Sequence, residues 1–322
     1  MHMDTTQTLS FKKVSLPGFA RYAWSVLAIN FVVILWGAFV RATGSGAGCG
    51  AHWPTCNGEV IPRAPAVETL IEFVHRLTSG AALLAVIGLL WWAWRAYPRG
   101  HLVRKGAGLT MLFIVTESLL GAGLVLFEWV AQDASMGRVI SMPLHLVNTF
   151  LLLAAITLTA WWASGGQAVH LRRGDGRLWW FGLGLLAVLF LGTSGAVTAL
   201  GDTLFPASSL LEGMRQDFSS TAHFLLRLRV IHPVIAGLSG AYLFTLVLGQ
   251  TLQRKPAGAE RFLARLLLGV FFLQLLAGLT NLLLLAPVWM QLVHLLLADS
   301  VWCAFVLYCA AVFGQVESTA AG

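Results

Sequence analysis

Four histidines lie inside long apolar stretches of the sequence, where an ionisable side chain is a candidate functional group. They are His75, His145, His232 and His294. Each stands about 20 residues before the polar or basic residue that closes its stretch, which as a helix is roughly 30 Å, the thickness of a bilayer core. The sequence therefore predicts that the four imidazoles lie at one depth, close to one face of a membrane.

Neutral imidazoles that face each other across a helix bundle are the usual pair of axial ligands for haem iron. The order along the chain favours His75 with His145 and His232 with His294 as the two pairs. Zinc or copper would need further ligands, and the sequence offers no third one at this depth. The alternative is that each histidine only donates a hydrogen bond to a neighbouring helix. Four histidines at one depth favour haem ligation.

The residues beside the histidines differ between the two halves of the chain. Glu72 precedes His75 by three residues, which places both on one helix face, whereas Arg229 precedes His232 at the same spacing. A carboxylate beside a haem can accept protons or stabilise positive charge, and an arginine suits a propionate. Arg76 is a second propionate candidate, although it could instead form a salt bridge with Glu72. We predict chemistry in the first half and a held cofactor in the second.

The composition excludes an ordinary soluble protein. Of the 322 residues, 57% are hydrophobic and 11% are charged, and the mean hydropathy is +0.77. A soluble domain has about 25% charged residues. Nucleic-acid binding is disfavoured despite the net charge of +7, because Lys and Arg cluster at the ends of the apolar stretches. The chain is predicted to be an integral membrane protein.

The apolar stretches are long enough to be membrane-spanning helices, which need about 20 residues each. They are continuous and do not alternate in polarity, which excludes the strands of a membrane barrel. The predicted fold class is all-α, with eight helices near residues 22–41, 69–94, 107–128, 141–164, 178–200, 220–250, 262–286 and 288–314.

The distribution of Lys and Arg predicts the orientation of these helices. Fourteen lie in the leader and in the loops after the second, fourth and sixth segments, against four in the opposite loops. Those four are Arg41, Arg63, Arg138 and Arg215. We therefore expect a plasma-membrane protein with both termini in the cytoplasm and the histidines near the external face.

An internal repeat relates the two halves at an offset of 157 residues. It matches His75 with His232, Gly121 with Gly278, and Glu117 with Gln274. Four helices in each half give both halves the same orientation, which predicts a pseudo-twofold axis along the membrane normal and two four-helix bundles. The predicted division is a cytoplasmic leader (1–21), an N-terminal bundle (22–164), a cytoplasmic linker (165–177), a C-terminal bundle (178–314) and a cytoplasmic tail (315–322).

Cys49 and Cys56 flank a short loop that is rich in Gly and Pro and is predicted to be external. On the oxidising side of a membrane, such a pair is typical of a disulfide. A Cys-His-Cys metal site with His52 is the alternative, but it lacks a fourth ligand. Glu117 and Asp299 lie within apolar helices, and the sequence does not decide between a buried hydrogen-bonding group and part of a proton path.

Several of these motifs together resemble the haem A synthase family. They are Gly37-Ala38-Phe39-Val40-Arg41-Ala42-Thr43-Gly44-Ser45-Gly46, Cys49-Gly50-x-x-Trp53-Pro54-x-Cys56-x-Gly58, Glu72-Phe73-Val74-His75-Arg76, Val197-Thr198-Ala199-Leu200-Gly201-Asp202 and His232-Pro233. His145 and His294, near the starts of the fourth and eighth segments, complete the pattern. The resemblance covers roughly residues 20–315.

The resemblance implies an oxidoreductase that converts the C8 methyl of haem O to a formyl group, giving haem A for terminal oxidases. It implies that His75 and His145 flank the haem O or haem A, that His232 and His294 ligate a resident haem b, and that Glu72 is the catalytic carboxylate. It also implies an external disulfide between Cys49 and Cys56. Glu117 departs from the pattern, because an amide like that of Gln274 is expected there.

The partners expected on this basis are haem O, an electron carrier, haem O synthase and the terminal oxidase, while a homo-oligomer stays open. A rival function is a dihaem b-type, quinol-linked electron-transfer cytochrome, but its haems would normally lie at both membrane faces. A transporter with parallel repeats needs no set of four histidines. A prenyl-transferring haem O synthase is disfavoured, because no Asp-rich diphosphate motif is present.

Overall fold

The computed structural model describes residues 16–171, 174–254, 256 and 258–314. Five residues that contribute to the predicted orientation lie outside these residues, as do most of the predicted leader and all of the predicted tail; the five are Lys12, Lys13, Arg172, Arg173 and Lys255. The described chain forms a short 3₁₀ turn at Ser45–Ala47 and the helices α1 (Pro17–Ala42), α2 (Val67–Ala96), α3 (Leu102–Leu126), α4 (Met136–Ala163), α5 (Arg177–Leu204), α6 (Leu210–Asp217), α7 (Phe224–Arg229), α8 (Ile231–Arg254), α9 (Gly258–Leu283) and α10 (Val288–Gly314).

Within the described residues, eight helical segments are long and apolar enough to cross a membrane. Seven are single helices, and α7 with α8 forms the eighth over Phe224–Gln253. The predicted all-α membrane fold class is confirmed.

Most helices begin earlier than the apolar stretches predict, and α1, α3 and α4 do so by five residues, because their first turns hold a proline, polar residues or a cap. α1 begins at Pro17, since proline is suited to the first turn of a helix, and it therefore includes Arg21 from the predicted leader. α4 begins at Met136, where the side-chain oxygen of Ser135 accepts a hydrogen bond from the Arg138 amide.

The sixth predicted segment is interrupted between α7 and α8 at Val230. Pro233 lies in the first turn of α8, where its missing N–H removes a hydrogen bond that a continuous helix would make to the carbonyl of Arg229. The sequence also failed to predict α6, an eight-residue amphipathic helix capped by Ser209. Its apolar side chains, such as Leu211, are exposed, as in helices that lie along a membrane interface.

The membrane-spanning helices pack as two sets of neighbours. α1 packs on α2 and α4, and α3 packs on α2 and α4; α5 packs on α8 and α10, and α9 packs on α8 and α10. Between the sets, α4 contacts α5 and α10, and α1 contacts α10. The division into two domains and the twofold axis between them stay predictions.

Buried aromatic and polar contacts join the two sets. Phe150 on α4 stacks on Trp302 of α10 with ring centroids 5.1 Å apart, and the Trp302 Nε1–H donates to the Phe150 carbonyl at 2.6 Å. Arg41 at the end of α1 donates to the Ala199 carbonyl of α5 at 2.8 Å and to Gln291 Oε1 of α10 at 2.8 Å. The two halves therefore share one core.

Candidate haem-binding site

The four predicted histidines lie near the N-terminal ends of α2, α4, α8 and α10, and each is half-buried. Because successive spans run in opposite directions, these ends share one end of the helical assembly. The rings of His232 and His294 have centroids 6.5 Å apart and planes at 87°. An imidazole nitrogen lies about 2 Å from a bound first-row metal ion, so rings on opposite sides of one iron have centroids about 6 Å apart. The second-half pair fits such an iron.

His75 and His145 lie on α2 and α4, which both pack on α1 and α3. His75 Nδ1 is buried and has no hydrogen-bond partner in the described part of the chain, and the same is true of His294 Nδ1. Buried polar atoms are nearly always hydrogen-bonded, so each unpaired ring nitrogen calls for a group that the polypeptide itself does not provide. Haem iron fits this requirement in both halves.

Each histidine ring packs against a glycine on the preceding membrane span. A Cβ at Gly37 would lie 2.9 Å from Cε1 of His75, and a Cβ at Gly278 would lie 2.9 Å from Cε1 of His294. Both distances are shorter than side chains tolerate, so the glycines provide the space in which the rings lie. The four pairs are Gly37 with His75, Gly121 with His145, Gly195 with His232, and Gly278 with His294.

This role of the glycines was not predicted from the sequence. The repeat matched Gly121 with Gly278, but a matched glycine is common in so apolar a sequence and has no assigned function without a tertiary neighbour. Its position one helical turn after the matched residues Glu117 and Gln274 is the signal that the sequence offered.

A serine fixes the orientation of His232. The Ser194 hydroxyl donates to the Leu191 carbonyl at 2.8 Å, so it accepts from the Nδ1–H of His232 at 2.9 Å. Nε2 of His232 is then unprotonated and free to bind a metal. Metal-binding histidines commonly donate their other ring N–H to the protein in this way.

His145 has a charged partner in the same role. Its Nδ1 lies 2.9 Å from Oε1 of Glu117, which extends from α3. In the second half, Gln274 Nε2 lies 3.3 Å from Nε2 of His294. Glu117 and Gln274, which the repeat matched, therefore contact the equivalent histidines.

Glu72 is buried, with 3% of its surface exposed, and both carboxylate oxygens have partners. Oε2 accepts from the Cys49 amide at 2.8 Å, and Oε1 forms an ion pair with Arg76 one turn along α2. The salt bridge that was the alternative interpretation of Glu72 is therefore present. The catalytic role of Glu72 stays a prediction.

The two arginines named as propionate candidates have protein partners. Arg76 donates to the His52 and Thr55 carbonyls, both at 2.6 Å, in addition to its ion pair. Arg229 pairs with Asp217 at 2.5 Å and with Asp202 at 3.0 Å. Each arginine thus ties a connecting segment to a histidine-bearing span, and propionate binding by either stays a prediction.

The predicted disulfide between Cys49 and Cys56 is confirmed. Its loop lies on the first turns of α2, where the Thr69 hydroxyl donates to the Gly48 carbonyl at 2.7 Å. The approach is so close that a Cβ at Gly48 would lie 2.5 Å from the Glu68 carbonyl. The loop is therefore fixed to the helix that carries His75.

Asp299 on α10 is fully buried, and neither of its carboxylate oxygens has a hydrogen-bond partner among the described residues. It lies five residues beyond His294 and one turn before Cys303, whose sulfur accepts from the Thr157 hydroxyl of α4 at 3.4 Å. The structure therefore shows that Asp299 is buried, but it does not show what its carboxylate binds.

Comparison with known proteins places the chain in a family. The family of cytochrome oxidase assembly proteins, COX15-CtaA, matches residues 20–306. A Thermus thermophilus protein named "Protoheme IX farnesyltransferase" is 59% identical over 289 residues, which are 89% of this chain and 47% of that protein. The chain thus spans about half the length of such relatives.

Relatives named "Heme A synthase" match as well. One from Exiguobacterium sibiricum is 29% identical over 242 residues, covering 75% of this chain and 77% of that protein. One from Halalkalibacterium halodurans is 50% identical over 96 residues, 30% of this chain and 32% of that protein. The family and the eight apolar helices identify an integral membrane protein. The chain therefore belongs to the haem A synthase family of cytochrome oxidase assembly proteins, and the resemblance stated from its motifs is confirmed.

Proposed function

We propose that this protein is a haem A synthase, an oxidoreductase that converts the C8 methyl of haem O to a formyl group. The conversion takes two successive two-electron oxidations and passes through an alcohol: with water as the source of the oxygen atom, the balance is R–CH3 + H2O → R–CHO + 4 H+ + 4 e–, and the electrons leave to an electron carrier. The observation that carries the proposal is the pair of histidine sites at one end of the helical assembly, each with glycines beside its rings. The carboxylates Glu72 and Glu117 belong to the first site alone, which favours chemistry there.

In the second half, His232 and His294 would hold a resident haem b, which supplies one-electron transfer when bound. The polypeptide's own part is to orient the ligands. Ser194 holds His232 with Nε2 unprotonated, and Gly278 leaves room for the ring of His294. Arg229 steadies the segment before α8 through Asp202 and Asp217.

In the first half, His75 and His145 would flank haem O as the substrate, and Glu72 would act on the reacting carbon. Loss of electrons gives that carbon positive character, and each oxidation releases protons. A buried carboxylate one helical turn from His75 could stabilise the charge and accept the protons. The ion pair with Arg76 and the Cys49 amide hold Glu72 in place.

The chemistry of the substrate and the product also indicates which reaction precedes this one and which proteins take part with it. Haem O carries a farnesyl-derived chain, so a haem farnesylation must precede the reaction, and a relative named "Protoheme IX farnesyltransferase" supports this order. An electron carrier would accept the electrons, and a terminal oxidase would receive haem A. The excess of Lys and Arg on one side supports cytoplasmic termini and histidine sites near the external face of the plasma membrane.

Pigment extraction from the purified protein, followed by chromatography and mass spectrometry, tests the proposal. We expect haem b together with haem O or haem A, and net formation of haem A in cells that supply haem O. Haem b as the sole pigment, with no haem A formed in those cells, would contradict the proposal. Reduction of that haem b by quinol would then support the rival dihaem cytochrome.

A further inference from the structure

The residues that hydrogen-bond the ligating histidines differ in charge between the two halves. Glu117 contacts His145 from α3, and Gln274 contacts His294 from α9. We propose that Glu117 is a positioning residue that makes His145 a stronger electron donor to iron, and so gives the first-half haem a lower midpoint potential than an amide at that position would. The inference rests on the proposed function, because it takes His145 as a haem ligand.

Three side chains of the described residues donate hydrogen bonds to the Glu117 carboxylate. His145 Nδ1 lies 2.9 Å from Oε1, Asn148 Nδ2 lies 2.6 Å from Oε2, and the Thr149 hydroxyl contacts Oε1. An ionised carboxylate only accepts hydrogen bonds, so this surrounding matches the charged form of Glu117. The carboxylate contacts Nδ1 of His145, which leaves Nε2 as the ring nitrogen available to iron.

The orientation of Asn148 is fixed independently of Glu117. Its Nδ2 also donates to the Phe113 carbonyl at 2.9 Å, and its Oδ1 accepts from the Thr116 hydroxyl at 2.6 Å. The carbonyl can only accept, so the amide nitrogen must lie on the side that faces Glu117. The Glu117 carboxylate is therefore part of a hydrogen-bond network formed by residues of α3 and α4.

In the second half, the side chains that the structure shows hydrogen-bonded to His232 and His294 are both neutral. Gln274 is neutral, its contact with His294 is 3.3 Å long, and its Oε1 is buried without a hydrogen-bond partner among the described residues. His232 has the neutral hydroxyl of Ser194 as its partner. Charge-assisted hydrogen bonds are about twice as strong as neutral ones, so the two halves differ in how strongly the protein polarises a ligand.

A hydrogen bond from a ligating imidazole to a carboxylate raises the basicity of that ligand, and such bonds help to set the potential of a haem. A more basic ligand stabilises the ferric state and lowers the midpoint potential. The charge on Glu117 therefore favours electron transfer from the first-half haem to the second-half haem. That is the direction required when electrons leave a substrate in the first half.

Two exchange variants test the inference in the purified, haem-loaded protein by optical redox titration at one pH. We expect Glu117→Gln to raise the midpoint potential of the first-half haem and to leave haem b unchanged. We expect Gln274→Glu to lower the potential of haem b and to leave the first-half haem unchanged. Glu128→Gln is the control, because it removes the same charge from an exposed position beyond the end of α3.

Unchanged potentials in both exchange variants would overturn the inference. If Glu117→Gln loses the first-half haem, the potential of haem b in Gln274→Glu decides the question on its own. Failure of the proposed function would be visible separately as two titrating haems with no haem O or haem A among the extracted pigments. A lower midpoint potential of haem b in Gln274→Glu would then still support the effect of a carboxylate at this position.

Discussion

The two histidine sites repeat the same ligands and glycines but not the same charges. In the first half, carboxylates lie beside both histidines, as Glu72 on α2 and Glu117 on α3. In the second half, Arg229 and Gln274 take the matched positions. Both halves thus have the geometry for holding a flat, metal-centred ligand, whereas carboxylates occupy the two matched positions in the first half only.

The connecting segments show a second contrast. The segment before α2 is fixed by a disulfide and by the contacts of Glu72 and Arg76, whereas the segment before α8 is fixed by the ion pairs of Arg229. Arg76 and Arg229 have the same structural role, because each holds a connecting segment against a histidine-bearing span. The partner of Arg76 in the first half is Glu72, a buried carboxylate one turn from His75.

The substitution Glu72→Gln should have the largest effect, because it removes charge and proton acceptance from the first half. General acid–base groups contribute about 100-fold or more to a rate. We expect haem A formation to fall by about that factor, while both haems are retained and haem O or the alcohol accumulates. Chromatography of extracted haems over time measures this.

Glu68→Gln is the matched control for this variant, since Glu68 is exposed one turn earlier on the same helix. Formation of haem A at the wild-type rate by Glu72→Gln would leave Glu72 with its salt bridge to Arg76 as its sole role.

Loss of the disulfide should weaken the connecting segment before α2 and leave the segment before α8 as it is. The two cysteines are seven residues apart, and closing so short a loop contributes about 2–3 kcal/mol to the free energy of unfolding. We expect the double variant Cys49→Ser, Cys56→Ser to unfold at a lower temperature and to lose first-half haem before haem b. Thermal unfolding with pigment analysis measures both; equal loss of the two haems would contradict the local role of the loop.

Substitution of Gly278 tests whether the second site depends on the space that this glycine leaves for the His294 ring. Gly278→Ala should destabilise the second site by about 1–3 kcal/mol, because its Cβ would lie 2.9 Å from the His294 ring. We expect reduced haem b content with first-half haem retained, measured by absorbance per protein. Gly269→Ala is the control on the same helix, since no atom lies within 4 Å of its added Cβ. Equal haem b content in both variants would show that clearance is unimportant.

The smallest effect is expected for Ser194→Ala, which removes a neutral hydrogen-bond acceptor from His232. Partners of metal-ligating histidines contribute about tenfold or more to metal affinity. We expect about tenfold weaker haem b binding, measured by titrating haem into depleted protein. Thr193→Ala removes a neighbouring hydroxyl that donates to the Phe190 carbonyl and should bind haem b normally. The idea fails if the two variants bind haem b equally well.

Much of the fold was predictable because it depends on local sequence. Continuous apolar runs identified all eight spans, and the spacing of Cys49 and Cys56 identified the disulfide. The break before α8 and the short helix α6 were missed, since a hydropathy window averages over Pro233 and ignores an amphipathic turn.

The site was predictable only in part. The matching depths of the histidines follow from helix geometry, but the glycine that faces each ring depends on which helices pack together. Glu117 was recognised as a departure from the expected amide, whereas its contact with His145 required α3 and α4 to be seen side by side. The ion pair between Glu72 and Arg76 was predictable, because the two residues lie one turn apart on the same helix.

The most direct test of the account is the pigment content of two purified double variants, determined by chromatography and mass spectrometry. His75→Ala with His145→Ala should keep haem b and lose haem O and haem A. His232→Ala with His294→Ala should lose haem b and keep unconverted haem O. If the second variant keeps full haem b, or if both variants lose the same pigment, the assignment of different haems to the two halves is wrong.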